Sequence, residues 1–279
     1  MWLANPITRN TESDYDLALS HRSKNNREIL TRLRSRVMIR YEEYATWRDS
    51  PWDYQDDPKL QEDERRALVG NYRLLDRGRV LECIRGEVLS AARNGLCTLC
   101  GRSDVSTIDH FLPKESYPEY SIMVENLLAA CPRCNLKKND SIGTPGQRYL
   151  YPSAELLATV RLLTCNVTVD SGVPFFDFEG NLELEPELRA CVEFHLETLD
   201  LHDAYSMGAL NELQERLDLF VESFEFGGRS RLLYELERSH SSIVSKFGSS
   251  YWKVAVYAGL MECEEFLNDP VTSTAELTY

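Results

Sequence analysis

Apolar residues recur at helical spacing through the first third of the chain. Within residues 26–46 the apolar positions lie three or four apart: Leu30, Leu33, Val37, Tyr41 and Tyr44. This spacing places them on one face of a helix. A second apolar stripe ends at Asn94-Gly95, a pair typical of a helix terminus. The pattern predicts a helical N-terminal region, residues 1–94, with a proline-rich, acidic loop at residues 48–58.

The pattern changes twice in the remainder of the chain. Residues 95–140 lack long apolar stripes, which favours two short strands and a helix. Residues 160–169 and 173–179 are rich in β-branched and aromatic residues and are separated by Asp-Ser-Gly, so they predict a hairpin. From residue 187 onward the leucine and phenylalanine positions return to helical spacing. We expect residues 269–279 to form a loose tail.

The amino-acid composition limits the classes of protein to which this chain can belong. The chain has 279 residues, 43% hydrophobic and 27% charged, which indicates a folded globular protein with about two domains. No run approaches the ~18 apolar residues of a membrane span. The N-terminus lacks a signal-peptide pattern, so we expect a cytoplasmic protein. Its eight cysteines are then expected to be thiols or metal ligands rather than disulfides.

The net charge of −14 is unevenly distributed along the chain. Residues 21–40 carry seven Lys and Arg against one acidic residue, so this helix is either a solvated basic face or a phosphate-contacting one. Residues 151–279 carry 23 acidic residues against eight basic ones. Such an excess of negative charge disfavours DNA binding by this region. We expect it to dock a partner protein instead.

Four cysteines form two closely spaced pairs, Cys97-x-x-Cys100 and Cys131-x-x-Cys134. Two such pairs in an intracellular chain are a strong zinc signal, because each turn supplies two thiolates and four thiolates close a tetrahedron. A closed site of this kind is structural rather than catalytic. The remaining four cysteines occur singly and are expected to be core thiols.

The segment between and beyond these pairs carries a specific series of residues. Residues 107–114 read Thr-Ile-Asp-His-Phe-Leu-Pro-Lys, Asn126-Leu127 follows, and residues 131–138 read Cys-Pro-Arg-Cys-Asn-Leu-Lys-Lys. This order of Asp-His, Asn and Cys-Cys-Asn-Lys resembles the HNH endonucleases, in the zinc-stapled form of the ββα-metal nuclease. The resemblance covers residues 95–140.

The resemblance implies a role for each matching residue. Asp109 resembles the metal-binding carboxylate and His110 the general base. Asn126 is similar to the middle Asn, which ties the loop together and orients the base. Asn135 stands where the family has the second metal ligand, and Lys138 resembles its phosphate-contacting lysine. No core position departs from the family pattern.

The residue chemistry is consistent with this reading. A neutral imidazole accepts a proton from water near pH 7. One carboxylate and one amide oxygen suit Mg²⁺ or Mn²⁺, which keeps water ligands and shares phosphate oxygens. Lys114 and Arg133 are further candidates for contact with DNA. The alternative is a non-catalytic zinc module that binds nucleic acid or protein, although such a module has no need of Asp109, His110 and Asn135 together.

A looser resemblance extends to the flanks. The segments after Lys114 and before Cys131 are similar to defence-associated HNH proteins, such as the PtuB subunits of Septu systems. Some of that group work beside an ATPase of the ABC/SMC kind, and this chain lacks a phosphate-binding P-loop sequence of its own. The resemblance implies an antiviral nuclease whose ATPase partner contacts the acidic C-terminal region.

Together these observations predict an α+β fold in which a mostly helical chain surrounds a small zinc-stapled ββα-metal core. The predicted divisions are residues 1–94 (helical), 95–150 (HNH core) and 151–279 (hairpin and acidic helices).

Overall fold

The computed structural model describes residues 4–53, 59–152 and 159–277. The fold is α+β, as predicted: helices predominate, and the described strands form two-stranded antiparallel sheets. The chain forms two compact units, one on each side of residues 153–158.

The first unit begins with helices. They are α1 (Thr11–Ser20), α2 (Lys24–Glu42), α3 (Tyr44–Asp49), α4 (Glu62–Val69) and α5 (Glu82–Ala91). The predicted helix at 26–46 is confirmed, with a break at Glu43 between α2 and α3. Asn94 and Gly95 do stop the chain from continuing as a helix, because both have positive φ, 54° and 69°. Of the loop predicted at residues 48–58, residues 48 and 49 instead belong to α3, Pro51–Asp53 forms a 3₁₀ turn, and residues 54–58 lie outside the described residues.

Two short strands and a helix follow, as predicted for residues 95–140. They are β1 (Thr107–His110), β2 (Leu127–Ala130) and α6 (Pro132–Lys138). The strands pair antiparallel, with Asp109 opposite Leu128 and His110 opposite Leu127. A minimal strand pair, β3 (Gly143–Thr144) and β4 (Gln147–Arg148), comes after the helix.

The ββα element shares its hydrophobic core with the helices before it. Ile108 and Leu127 of the strands belong to one buried cluster with Leu81, Ile84 and Val88 of the α5 region. Strands of four residues cannot stand alone in water, so this packing is what supports them. The predicted boundary at residue 94 therefore marks a change in sequence pattern rather than a gap in packing.

The second unit opens with the predicted hairpin, β5 (Leu163–Asp170) and β6 (Val173–Gly180). Ser171 and Gly172 both have positive φ, 51° and 79°, as a two-residue type I′ turn requires. The hairpin buries alternate residues, among them Cys165, Val167 and Phe176. This is the period of two expected of strands with one buried face.

Helices complete the second unit. They are α7 (Pro186–Thr198), α8 (Leu201–Phe247), α9 (Trp252–Glu262), α10 (Glu264–Asn268) and α11 (Pro270–Ser273). The backbone of α8 leaves helical geometry at Gly227 and Gly228. No helix in the described part of the chain is both long enough and apolar enough to cross a membrane.

The expectation of a loose tail at residues 269–279 is wrong for its described part. The Asp269 side chain caps α11 by accepting from the backbone N–H of Thr272 at 3.0 Å. Thr274 is buried, and its hydroxyl donates to the carbonyl of Pro270 at 2.6 Å. Local capping orders this polar segment, which lacks the apolar periodicity by which a helix is recognised.

Candidate active site

The four paired cysteines meet at one point in the first unit. Their Sγ atoms all lie within 4.8 Å of one another, and all four side chains are buried. Cys131 caps the N-terminus of α6, where its Sγ accepts from the backbone N–H of Cys134 at 3.5 Å. A tetrahedral zinc with Zn–S bonds of ~2.3 Å needs thiolates ~3.8 Å apart, so the cluster fits zinc, as predicted.

The close packing of the four sulfurs shifts their pKa values in opposite directions. Hydrogen bonds from the other three thiols hold the pKa of Cys100 far below its usual range, whereas hydrogen bonds within the cluster raise the pKa values of Cys97 and Cys134 far above theirs. Cysteine binds zinc in the deprotonated form, so a bound zinc would keep all four sulfurs as thiolates. The fit to zinc therefore rests on the distances between the sulfurs.

His110 ends β1 with its ring buried at 5% exposure. Its Nε2 lies 3.0 Å from the carbonyl oxygen of Ser121, and a carbonyl can only accept. Nε2 therefore carries the ring hydrogen, which leaves the lone pair on Nδ1. Tyr72 packs on the ring at 4.7 Å between centroids. Burial lowers the pKa of His110 to about 3, so the imidazole is neutral at physiological pH.

Asp109 lies beside His110 with one carboxylate oxygen satisfied and one not. Its Oδ1 accepts from the backbone N–H of His110 at 2.7 Å. Its Oδ2 is buried with no hydrogen-bond partner among the described residues. Burial raises the pKa of Asp109, and the charge of Lys138 offsets only part of this effect. An unsatisfied buried oxygen is costly, and a divalent cation would satisfy it.

Asn135 joins helix α6 to the strand that carries Asp109. Its Nδ2 lies 3.4 Å from the carbonyl of Ile108, the residue before Asp109. Because the amide nitrogen faces the strand, the Oδ1 atom is left for another partner. The structure thus places Asn135 against the backbone of the strand that carries Asp109, and a carboxylate and an amide oxygen are donors that Mg²⁺ or Mn²⁺ accepts.

Asn126 lies behind the site rather than in it. Its side chain is fully buried and ties the preceding loop at both ends. Its Oδ1 accepts from Leu112 N at 2.8 Å and from the Tyr44 hydroxyl at 3.1 Å. Its Nδ2 donates to the carbonyls of Leu112 at 2.9 Å and Tyr120 at 3.3 Å. Asn126 therefore holds the loop that carries the Ser121 carbonyl beneath His110.

The three predicted phosphate contacts have different placements. Lys138 is fully buried, and its Nζ donates to the His110 carbonyl at 2.7 Å. It is therefore not placed to contact a phosphate; it holds the end of β1 instead, which corrects the role that the resemblance implies. Arg133 is exposed on α6. Lys114 lies over the Tyr72 ring at 5.6 Å.

Tyr72 and Lys114 also line a basic cavity of about 560 Å³, here called the Arg65 cavity. Two carboxylates, those of Glu62 and Glu115, line it as well. Its cationic side chains come from distant parts of the sequence: Arg22, Arg65, Arg66, Arg73 and Lys114. The Nε of Arg22 is buried with no partner among the described residues. Burial, together with the charge of Arg73, lowers the pKa of Arg22, as uncompensated positive charge would.

The basic face of α2 has a different environment. Three of its arginines are paired with carboxylates: Arg32 with Glu64 at 2.9 Å, Arg34 with Asp16 at 2.7 Å and Arg40 with Glu43 at 2.9 Å. Of the two alternatives left open for this helix, a solvated basic face and a phosphate-contacting one, these ion pairs favour the solvated face. The positive charge beside the site comes from the Arg65 cavity.

Sequence reasoning missed several residues that hold the site. Tyr72 packs on His110, and its hydroxyl donates to the Ile108 carbonyl at 3.1 Å. Ser121 acts through its backbone carbonyl, for which side-chain identity carries no signal. Tyr44 reaches Asn126 across 82 positions of sequence. Such contacts join residues that are far apart in the sequence or use backbone atoms, so the sequence pattern alone does not reveal them.

Comparison with known proteins agrees with the geometry. Residues 97–141 match the family model described as HNH endonuclease, so the chain contains an HNH endonuclease domain. The chain is similar to Protein ea31 of Escherichia phage lambda, 24% identical over 188 residues, which are 61% of this chain and 62% of ea31. It is also similar to Septu protein PtuB of Bacillus thuringiensis, 45% identical over 42 residues, or 15% and 16% of the two chains. Both alignments cover less than two thirds of the relative. No solved structure matches the chain.

Proposed function

We propose, from its HNH endonuclease domain, that this protein is a metal-dependent endonuclease that hydrolyses phosphodiester bonds in DNA. The observation that carries the proposal is the setting of His110. Its Nε2 faces the Ser121 carbonyl, which leaves Nδ1 as the basic atom. The adjacent Asp109 presents an oxygen without a protein partner among the described residues.

In this proposal His110 is the general base. Nδ1 accepts a proton from the attacking water, while the Ser121 carbonyl holds the ring and its tautomer. Lys138 fixes the strand end through the His110 carbonyl. Asp109 and Asn135 would hold Mg²⁺ or Mn²⁺. When bound, such an ion stabilises charge on the phosphate and on the departing oxygen.

The zinc cluster is proposed to position this machinery. Cys134 is a zinc ligand in the proposal, and Asn135 is the next residue on α6. Fixing the first turn of α6 therefore fixes Asn135 relative to β1. A structural metal here substitutes for a larger apolar core around a small element.

The Arg65 cavity is proposed to receive the DNA backbone. It adjoins His110 through Tyr72, which contacts the His110 ring and has the Nζ of Lys114 at 5.6 Å from the centre of its own ring. Arginine and lysine side chains grouped in a cleft neutralise phosphates without reading sequence. The arrangement suits contact with the strand on one side of the scissile bond.

We further propose that the nuclease serves antiviral defence with an ATPase partner that contacts residues 151–279. The support is the similarity to Septu protein PtuB and the apolar side chains exposed on the second unit. Phe226 is 88% exposed, Leu182 66% and Met207 64%. In this proposal the partner would cover these side chains.

Deleting residues 187–279 tests the partner proposal. The deletion should abolish co-purification of the partner without changing the zinc content. A truncated chain that still retains the partner would contradict the proposal that residues 151–279 bind it.

Plasmid cleavage with Mg²⁺ or Mn²⁺ tests the nuclease proposal. His110→Ala should lose at least ~100-fold in rate while keeping about one zinc per chain. The exposed His21→Ala is the matched control and should cleave normally. Cleavage by His110→Ala at the wild-type rate would overturn the assignment. Zinc-loaded wild type that cleaves neither DNA nor RNA, alone or with its partner, would favour the binding module instead.

A further inference from the structure

The second unit contains a cavity that the nuclease proposal does not use. It has a volume of about 570 Å³, within the range of small-molecule sites. Both segments of α8 line it: Glu212 and Arg216 precede the break at Gly227, whereas Lys246 follows it. We call it the Lys246 cavity.

The cavity concentrates the scarce positive charge of an acidic region. Residues 151–279 contain eight Lys and Arg, and five of them line this one cavity. They are Arg216, Arg231, Arg238, Lys246 and Lys253. Among the described residues, two carboxylates line the cavity with them, those of Glu212 and Glu235, which leaves three positive charges in excess. A cavity of this charge attracts anions.

The two carboxylates fix four of the five cations. Glu212 accepts from Arg216 at 3.0 Å, and it also pairs with Lys253. Glu235 pairs with Arg231 at 2.6 Å and with Arg238 at 3.4 Å. Both glutamates are buried whereas the arginines that they pair with are exposed, so the glutamates form the floor of the cavity. Cations held in this way are preorganised for an anionic ligand.

Lys246 is the fifth cation and has a different environment. Its side chain is exposed at the cavity and forms no ion pair or hydrogen bond with another described residue. The hydroxyl groups of Ser239 and Ser242 line the same cavity. Arginine and lysine side chains and hydroxyl groups are the donors that proteins use for phosphate.

One wall is aromatic. Phe247 and Tyr251 stack with ring centroids 4.7 Å apart and planes 18° apart, and both line the cavity. An aromatic surface beside phosphate donors accepts a flat ring by stacking. A long polyanion fits poorly, because exposed acidic residues lie on the same helix, among them Glu215, Asp218 and Glu237. The site therefore suits a small anion with an aromatic ring.

We propose that the Lys246 cavity binds a nucleoside phosphate, with the phosphates on the arginine and lysine side chains and the base against Phe247. The excess of three positive charges matches a nucleoside diphosphate. This inference does not depend on the nuclease assignment, because none of its residues belongs to the HNH domain.

Calorimetric titration of the full chain with ADP, without divalent metal, tests the proposal. ADP should bind at one site, and inorganic phosphate at least about tenfold more weakly. Lys246→Gln should raise the ADP Kd about tenfold, since it removes a charge-assisted contact. Phe247→Leu should weaken the binding of ADP without changing the Kd of inorganic phosphate.

Two matched variants distinguish binding in this cavity from a general effect of positive charge. Arg229→Gln removes one charge from the same helix outside the cavity, where Arg229 pairs with exposed Glu264. Arg65→Gln/Arg66→Gln removes charge from the Arg65 cavity. Both should bind ADP like the wild type. No ADP binding, equal effects of Lys246→Gln and Arg229→Gln, or equal affinity for ADP and phosphate would each overturn the proposal.

Discussion

The two basic cavities carry the same charges in opposite arrangements. Each is lined by five cationic and two carboxylate side chains. In the Arg65 cavity the carboxylates are at the rim, since the side chains of Glu62 and Glu115 are 76% and 57% exposed. In the Lys246 cavity Glu212 and Glu235 are 6% and 7% exposed and form the floor. The same composition therefore suits two kinds of ligand.

This difference follows from what a buried carboxylate does. A floor of carboxylates holds each cation in one position, which suits a small ligand of fixed shape. Carboxylates at a rim are screened by water and fix little, so the cations can adapt to a polymer backbone. The net charge of a cavity therefore does not by itself tell a site for a small ligand from a site for a polymer backbone.

The units around the cavities also differ in what stabilises them. The first unit builds its site on strands of four residues and brings four buried cysteines together. The second unit builds on strands of eight residues packed against helices. We infer that the metal stabilises only the first unit.

Removing a zinc ligand tests that inference and should give the largest effect. In Cys131→Ser, zinc should be lost and the first unit should unfold, because structural zinc contributes ~10–16 kcal/mol, as much as a whole domain's stability. The second unit should keep its own thermal transition. Zinc analysis and circular dichroism measure both. Cys83→Ser is the control, because this thiol lies outside the cluster and is exposed, contrary to the expectation of a core thiol, whereas the other three single cysteines are buried as expected. A Cys131→Ser chain that retains a folded first unit without zinc would refute the inference.

Two asparagines of the first unit allow the effect on stability to be measured apart from the effect on cleavage. Asn126→Ala removes four hydrogen bonds of a fully buried amide, so we expect a loss of about 3 kcal/mol in the free energy of unfolding. Asn135→Ala removes one long hydrogen bond and should cost little stability, yet it should abolish cleavage. Denaturant titration and plasmid cleavage measure the pair. If Asn126→Ala lost only cleavage and Asn135→Ala lost only stability, the roles assigned to the two residues would have to be exchanged.

Much of the site could be predicted from sequence where the signal is local. The cysteine pairs, the strand–strand–helix order and the Asp-Ser-Gly hairpin turn each depend on neighbouring residues, and each is confirmed. The burial of Lys138 could not be predicted, because it depends on packing against β1. Nor could the two cavities, since each collects side chains from distant positions. The net charge of residues 151–279 is negative, although five of their cationic side chains line one cavity.

Glu212 allows a pH test in the second unit. Burial raises its pKa, but hydrogen bonds from Lys253 and Tyr257, with the charges of Lys253 and Arg216, outweigh burial and leave the pKa below its usual value. The carboxylate thus stabilises the fold above the unfolded pKa of ~4.3, and this stabilisation is lost as the pH falls through the folded pKa. Glu212→Gln should cost about 2 kcal/mol at pH 7 and flatten the acid limb of the stability curve. The exposed Glu215→Gln should do neither.

The smallest expected effect concerns how the Arg65 cavity meets DNA. If its cations contact phosphates, each contact releases counterions, and log K falls with log salt by ~0.9 per contact. Arg65→Gln/Arg66→Gln should therefore reduce the slope by about two and weaken binding about tenfold at low salt, in a fluorescence anisotropy titration. The control, Arg32→Gln/Arg34→Gln, removes the same charge from α2, where carboxylates already pair with both arginines. Its slope should not change. Equal slopes in the two variants would mean that positive charge contributes wherever it lies, and the cavity would lose its special role.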